Sequence, residues 1–161
     1  MQSKEPPVGY RELRWSMAMK IENVLLVDDE VEFVETLAER MRARGLGVEY
    51  TTNGRDAIER AKTTTFDAVV LDLAMPGMSG LETLKALLED HPDLQIILLT
   101  GQATIGDAVA ATKLGAVDVF EKPTNIETLV RKIREARGAR LALEEKHTLA
   151  EIDRIMSSKG W

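Results

Sequence analysis

The sequence predicts an α/β protein of the (βα)5 type, a doubly wound five-stranded parallel sheet flanked by helices, with a C-terminal helical extension. Three observations predict it. Five short apolar runs recur along the chain, 24-VLLV-27, 48-VEY-50, 68-AVVL-71, 96-IILL-99 and 117-VDVF-120, each of strand length and several rich in Val and Ile. Segments whose apolar residues recur at helical spacing lie between them. The runs are nearly continuous rather than alternating, as befits strands buried on both faces, and strands alternating with helices imply a parallel sheet.

The elements follow in order. Residues 1–20, MQSKEPPVGYRELRWSMAMK, carry Pro-Pro, a Gly and scattered charges and lack the apolar middle of a signal peptide. They are expected to be a flexible leader, and Met17 and Met19 are candidate start positions. The folded unit is expected over 21–137 and a helical tail over 138–161. After the first strand, Phe33, Val34, Leu37 and Met41 share one helix face, and Gly45 suits a left-handed C-terminal cap. Asn53-Gly54 suits the entry to the second helix. Ser79 with Glu82 forms a capping-box pair ahead of a third helix striped by Leu81, Leu84 and Leu88. Thr104 with Asp107 is a weaker version of that pair, before a stripe of Ile105, Ala108, Val109 and Thr112, and Gly115 suits a C-cap. Thr124 with Glu127 is read as the cap of the last helix, striped by Ile126, Leu129, Val130 and Ile133.

Gly138 weakens a helix by roughly 1 kcal/mol relative to Ala, so the fifth helix either ends there or continues through a soft point. Beyond it Leu149, Ile152 and Met156 fall on one face, which suits a solvated or domain-packed helix or, alternatively, a dimer-forming one.

Composition narrows the function. The chain of 161 residues is 44 % apolar and 30 % charged, ordinary for a globular domain, and its net charge of −6 argues against direct nucleic-acid binding. It has no cysteine, which excludes disulfides, thiolate zinc sites and cysteine nucleophiles and fits a cytoplasmic location. The two histidines, His91 and His147, are far apart, so neither a His-rich metal site nor a Ser-His-Asp triad is supported. No apolar run approaches bilayer-spanning length.

In a doubly wound parallel sheet the C-terminal ends of the strands lie along one edge, and function gathers there. Strand one ends at Asp28-Asp29, strand three at Asp72 and strand four at Thr100, and Lys122 lies two residues beyond Phe120 of strand five. Singly, each has a plain structural use: Asp29 as a helix N-cap, Asp72 in a turn, Thr100 as a strand-end hydroxyl, Lys122 as a loop lysine. Together they form a cluster. Two carboxylates about 4 Å apart repel by roughly 4 kcal/mol at an effective dielectric of 20, and a hard divalent cation removes that penalty. Oxygen ligands without His or Cys select Mg²⁺ or a similar ion over zinc. With an ammonium and a hydroxyl, the set suits a phosphoryl group attacked by a carboxylate. Neither a G-x-x-x-x-G-K-[ST] loop nor a G-x-G-x-x-G follows strand one, and Ala74 in place of a second aspartate argues against haloacid-dehalogenase-type phosphatases. His91 falls at the opposite edge.

Over Glu22 to Arg137, the motifs 25-LLVDDE-30, 71-LDLAMPGMSGLE-82, 98-LLTG-101 and 115-GAVDVFEKP-123 resemble the receiver domain of two-component response regulators. The stretch 100-TGQATIGDAVAATKLGA-116 looks especially like receivers of enhancer-binding transcription activators. The resemblance implies the strand order 2-1-3-4-5 and a signalling role rather than that of a conventional enzyme. Asp72 would accept a phosphoryl group from a sensor histidine kinase or phosphotransfer protein, with the domain catalysing its own phosphorylation and slow dephosphorylation. Asp28, Asp29, Asp72 and the backbone carbonyl of Ala74 would hold Mg²⁺. Thr100 and Lys122 would bind the phosphoryl oxygens, Gly101 would leave room beside them, and Lys122-Pro123 would be cis. Partners implied are the kinase, a downstream protein and a second copy of the chain. A phosphorelay intermediate, a receiver piece of a larger transcription regulator and a non-catalytic scaffold are the alternatives. The family's switch aromatic lies three residues before the lysine; here that position is Val119, and Phe120 next to it is expected to face the other side. Gln102 is the polar candidate for influencing an attacking water.

Overall fold

A computed structural model describes residues 22–101 and 104–160; the leader over 1–20 and Gln102 lie outside the described residues. Strands β1 (Asn23–Val27), β2 (Gly47–Thr51), β3 (Ala68–Leu71), β4 (Ile96–Thr100) and β5 (Asp118–Glu121) alternate with helices α1 (Val31–Arg42), α2 (Gly54–Thr63), α3 (Gly80–Asp90), α4 (Ile105–Leu114) and α5 (Ile126–Ser158). The strands pair in parallel in the order β2-β1-β3-β4-β5. The central strands β3 and β4 are buried at every residue, which explains their unbroken apolar sequence.

Alternate strand residues point to opposite faces and seed two cores. Val24, Leu26, Val70, Ile97 and Leu99 pack with Val34, Ala38 and Met41 of α1 and with Leu129, Val130 and Ile133 of α5. Leu25, Val69, Leu71, Ile96 and Leu98 pack on the other face with Ala57 and Ala61 of α2, Leu84 and Leu87 of α3 and Ala111 of α4. The two layers hold all five strand ends in a fixed array.

The caps follow the sequence with two corrections. Asn53, Ser79 and Thr104 cap their helices through their side chains, and Thr104–Asp107, read as the weaker pair, closes a complete reciprocal box. Asn125, not Thr124, caps α5, accepting from the N–H groups of Glu127 and Thr128; the Thr124 hydroxyl instead donates to the Glu121 carbonyl. The stripe Ile105, Ala108, Val109 and Thr112 does not enter the core: Ile105 is 87 % exposed, and Ala111 is the residue α4 buries. Gly115 takes the left-handed conformation at the end of α4, with φ 113°.

Helix α5 is unbroken over 33 residues. It passes straight through Gly138, around which a side chain would meet nothing, so the glycine is neither a stop nor a close-packing point. At 1.5 Å per residue the helix is roughly 50 Å long, far more than the sheet needs. No helix among the described residues is long and apolar enough to cross a membrane.

Candidate functional site

The parallel register decides what meets at the C-terminal edge. Val27 pairs with Leu71, and Leu71 with Leu98, so the residues that follow β1 and β3 emerge side by side, with the end of β4 next to them. Asp28 is fixed by its N–H donating to the Thr51 carbonyl at 3.2 Å, and Asp72 by its N–H donating to the Val27 carbonyl at 2.9 Å. Each has one carboxylate oxygen engaged by a backbone N–H two residues on, Glu30 for Asp28 at 2.9 Å and Ala74 for Asp72 at 3.2 Å. Asp29 is free of capping duty, because the N-cap of α1 is Glu30.

The outcome is a cluster in which carboxylate oxygens of Asp28, Asp29 and Asp72 all lie within 4.8 Å of one another. Asp28 and Asp72 are buried and Asp29 is half-buried, so the group opens to solvent on the Asp29 side. The donors are all hard oxygens, fitting a small divalent cation.

Lys122 supplies the counter-charge. Its N–H donates to the Thr100 carbonyl at 3.0 Å, which ties the segment after β5 to the end of β4. The ammonium donates to Asp28 Oδ2 at 2.5 Å and stands 3.7 Å from Asp72 Oδ2 and 3.8 Å from Glu30 Oε1. It also sits over the Phe33 ring, 4.2 Å from the centroid, a cation–π contact. The Lys122-Pro123 peptide is cis. Burial would lower the pKa of this lysine, but the hydrogen bond and charge of Asp28, with Asp72 and Glu30 behind it, carry it upward overall. Burial pushes the Asp28 carboxyl up, and the Asp72 charge adds to that; Lys122 and the Glu30 N–H offset only part of it. The lysine therefore stays charged, while Asp28 is a carboxylate whose ionised form gains from any further positive charge.

Thr100 is fully buried at the end of β4. Gly101 follows it, and even a methyl there would come no nearer than 4.0 Å to the Lys122 stem. The loop after Asp72 turns at Gly77, with φ 78°, and returns so that the Gly80 N–H donates to the Leu73 carbonyl at 3.1 Å. A Cβ on Gly80 would lie 2.3 Å from the Asp72 carbonyl oxygen, so the start of α3 presses directly on the backbone of the central aspartate. Each residue singled out at the edge is thus found there, Ala74 as the exposed first step of this loop.

The sequence does not mark Phe33, Glu30 or Gly80 as site residues. Phe33 shows in the sequence as one member of an apolar stripe, and nothing in a stripe distinguishes the ring whose face meets a cation. Gly80 stands as a small residue after a capping serine, and its contact with Asp72 is set by the loop's return. A larger cavity, about 440 Å³, opens at the other end of the sheet among residues 61–66 and 90–94 with Arg140 and Glu144. It holds His91 but none of the carboxylate cluster, and its size is no guide to the chemistry.

Known proteins resemble this chain in both sequence and shape. The family model "Response regulator receiver domain" matches residues 24–134. The acid tolerance regulatory protein ActR of Rhizobium meliloti is 34 % identical over 129 residues, 80 % of this chain and 66 % of ActR. The transcriptional regulatory protein ZraR of Klebsiella oxytoca is 32 % identical over 114 residues, 71 % of this chain and 26 % of ZraR. The chain thus spans just under two thirds of one relative and about a quarter of the other. A response regulator from Burkholderia pseudomallei, crystallised with a phosphorylated aspartic acid, a calcium ion and citrate, superposes with a TM-score of 0.67 at 29 % identity, covering 86 % of each chain.

Proposed function

The chain belongs to the response regulator receiver family of two-component signalling, and from that membership we propose that it is a phosphorylation-controlled switch in which Asp72 accepts the phosphoryl group. The observation that carries the reading is the meeting of three carboxylates within 4.8 Å with the Lys122 ammonium bridging two of them. Asp28, Asp29, Asp72 and the Ala74 carbonyl are the residues that would hold Mg²⁺, which when bound offsets their mutual repulsion and draws charge from the phosphoryl oxygens.

Receiver domains partner with histidine kinases, and the donor here would be a phosphohistidine on a kinase or phosphotransfer protein, or a small acyl phosphate. An Asp72 carboxylate oxygen forms the new bond to phosphorus while the histidine N–P bond breaks. The nitrogen keeps the electron pair and leaves as neutral imidazole, with a proton on one ring nitrogen. Lys122 holds one phosphoryl oxygen by charge and the Thr100 hydroxyl donates to another. Water attack on the acyl phosphate later returns the carboxylate and free phosphate.

The added charge of about 1–2 units, by analogy with hydroxyl phosphorylation, favours the arrangement in which Thr100 and Lys122 close on it. The surface of α4, β5 and α5 changes, and a partner binds that surface differently. Both relatives described above are regulators longer than this chain, ZraR a transcriptional one, which supports a second reading: a receiver working within a larger transcription regulator. A phosphorelay role is separated from either by adding a phosphotransfer protein and following the label.

Incubation with acetyl phosphate and Mg²⁺ is the direct test. The parent chain is expected to gain one phosphoryl group and Asp72→Asn none. Full labelling of the variant at another residue would sink the assignment.

A further inference from the structure

The last turns of α5 leave the receiver body and carry four large apolar residues in water: Leu149, Ile152, Ile155 and Met156. How the helix is held decides where that surface points. Ile133 is fully buried against the sheet; one heptad on, Arg140 is buried and donates to Asp67 Oδ1 through Nη2 at 2.5 Å and Nε at 3.2 Å. One heptad further, His147 Nδ1 lies 3.0 Å from Asp93 Oδ2. Residues 133, 140 and 147 thus form one line of contacts fastening the helix to the body.

At roughly 100° per residue, positions 145, 149, 152 and 156 all fall within about 60° of the direction opposite to Arg140, the middle of that line. The apolar stripe faces directly away from the protein's own core. The body cannot cover it without breaking the Arg140–Asp67 pair.

We infer that this stripe is the contact by which two copies of the chain associate, tail against tail, with the two helices antiparallel. The flanks of the stripe decide the orientation. Leu141, Thr148 and Ile155 lie along one flank, while Lys146 and Asp153 lie along the other. In an antiparallel pair like flanks meet. Ile155 packs beside Thr148 of the second copy, and Lys146 faces Asp153 of the second copy, twice by symmetry. Leu149 then opposes Ile152, and Glu145 opposes Met156, whose side chain offers the glutamate an apolar stem to lie along. A parallel pair does the reverse. It sets Glu145 against Glu145 in the seam and puts the apolar flank of each helix against the charged flank of the other. Charge complementarity therefore selects a second copy in the antiparallel sense. The inference concerns the unphosphorylated chain and stands apart from the reading of Asp72.

Two heptads bury little surface, so the association is weak and is measured by sedimentation equilibrium of the full chain from roughly 10 μM to 1 mM. A monomer–dimer equilibrium is expected in that range. Lys146→Glu and Asp153→Lys should each weaken it by roughly fivefold, and the double swap should restore it, because both variants keep an exposed, helix-compatible side chain. The chain has no cysteine, so Glu145→Cys and Met156→Cys place single thiols at will. Mixed and oxidised, they should give mainly the 145-to-156 cross-link. A chain that stays monomeric at the highest concentration overturns the inference and leaves the stripe to a different partner. A predominant 145-to-145 cross-link, or a double swap no better than the single variants, overturns the antiparallel pairing.

Discussion

Replacing Lys122 by Met keeps an unbranched apolar stem and deletes the charge, together with the ammonium's contact on the Phe33 ring. In the parent the ammonium is 2.5 Å from Asp28 Oδ2 and 3.7 Å from Asp72 Oδ2, so its removal leaves two buried carboxylates facing each other with no cation. A pair of unit charges 4 Å apart is worth about 4 kcal/mol at an effective dielectric of 20 and about 1 kcal/mol in water. Asp28, already pushed upward, can take up a proton and relieve part of the repulsion. The metal-free variant should therefore lose about 2–4 kcal/mol of stability, in the range of a broken buried pair. The effect on a divalent cation has the opposite sign. In the parent that cation must displace an ammonium from Asp28 and bear its repulsion. Without it, binding should gain about 1–2 kcal/mol, or roughly tenfold in affinity. Calorimetric titration with Mg²⁺ and urea unfolding with and without Mg²⁺ measure both quantities, and the stability gap should narrow when Mg²⁺ is present. Labelling by acetyl phosphate should fall in the same variant, since the phosphoryl oxygen loses its counter-charge. Unchanged or weaker Mg²⁺ binding by a natively folded Lys122→Met would refute the reasoning, because it would mean that ammonium and metal do not compete for the same oxygens.

Three further outcomes are expected. Gly80→Ala puts a methyl 2.3 Å from the Asp72 carbonyl oxygen and 2.4 Å from Leu73 Cα, both backbone atoms that cannot rotate away. A loss of about 1–3 kcal/mol in urea unfolding follows, and an unchanged midpoint would show that the start of α3 does not hold this close approach. Arg140→Met removes the nearer cation from Asp67 Oδ1, leaving Arg137 Nε at 4.0 Å and the Asn23 N–H on Oδ2 at 2.7 Å, and should cost about 2–3 kcal/mol. Adding Asp67→Asn should then cost much less than the same change in the parent, and strictly additive losses would deny the coupling. The third concerns pH: with its folded pKa raised above the unfolded value, Asp28 favours folding in its protonated form, and metal-free stability from this group falls as pH rises through the folded pKa. Mg²⁺ needs the ionised form, so the increment in melting temperature on adding Mg²⁺ should grow from about pH 4.5 to 7.5. An increment independent of pH would remove Asp28 from the ligands.

What the sequence reveals depends on whether a feature is set by chain order or by surroundings. The strands are legible because apolar runs and helical stripes alternate, their order 2-1-3-4-5 follows from the receiver resemblance, and a parallel sheet brings the residues after β1, β3, β4 and β5 to one edge whatever the details of packing. That is why Asp28, Asp72 and Lys122 can be placed together from spacing alone. Periodicity shows that a helix has an apolar face, not that something covers it. Ile105, Ala108, Val109 and Thr112 have the spacing of a core stripe, yet the sheet side of α4 is served by the small Ala111, and the stripe is left to solvent. Caps fail in the same way. Thr124 has the right partner three residues on at Glu127, but Asn125 lies one position nearer the helix and accepts two N–H groups, and that local competition decides the start of α5. Gly138 carries an intrinsic cost, and the fastening of the helix at Arg140 overrides it.

Alternation along β5 decides which face its one aromatic residue occupies. Val119 pairs with Leu98 and Phe120 with Leu99, and those two leucines belong to opposite cores. The Phe120 ring accordingly packs on the face shared with α1 and α5, while Val119 lies on the face of α4. No slip of one residue could exchange them without turning every side chain of the strand inside out. The groove along α4, bordered by Ile105, Val109, Val117 and Val119, is therefore left without a ring to fill it. On the opposite face Phe33, which stacks under the Lys122 ammonium, packs against the same core as Phe120. A movement of the ammonium between Asp28 and Asp72 would therefore bear on α1 through a ring that the lysine already touches, and on the end of β4 through the hydrogen bond from the Lys122 N–H to the Thr100 carbonyl.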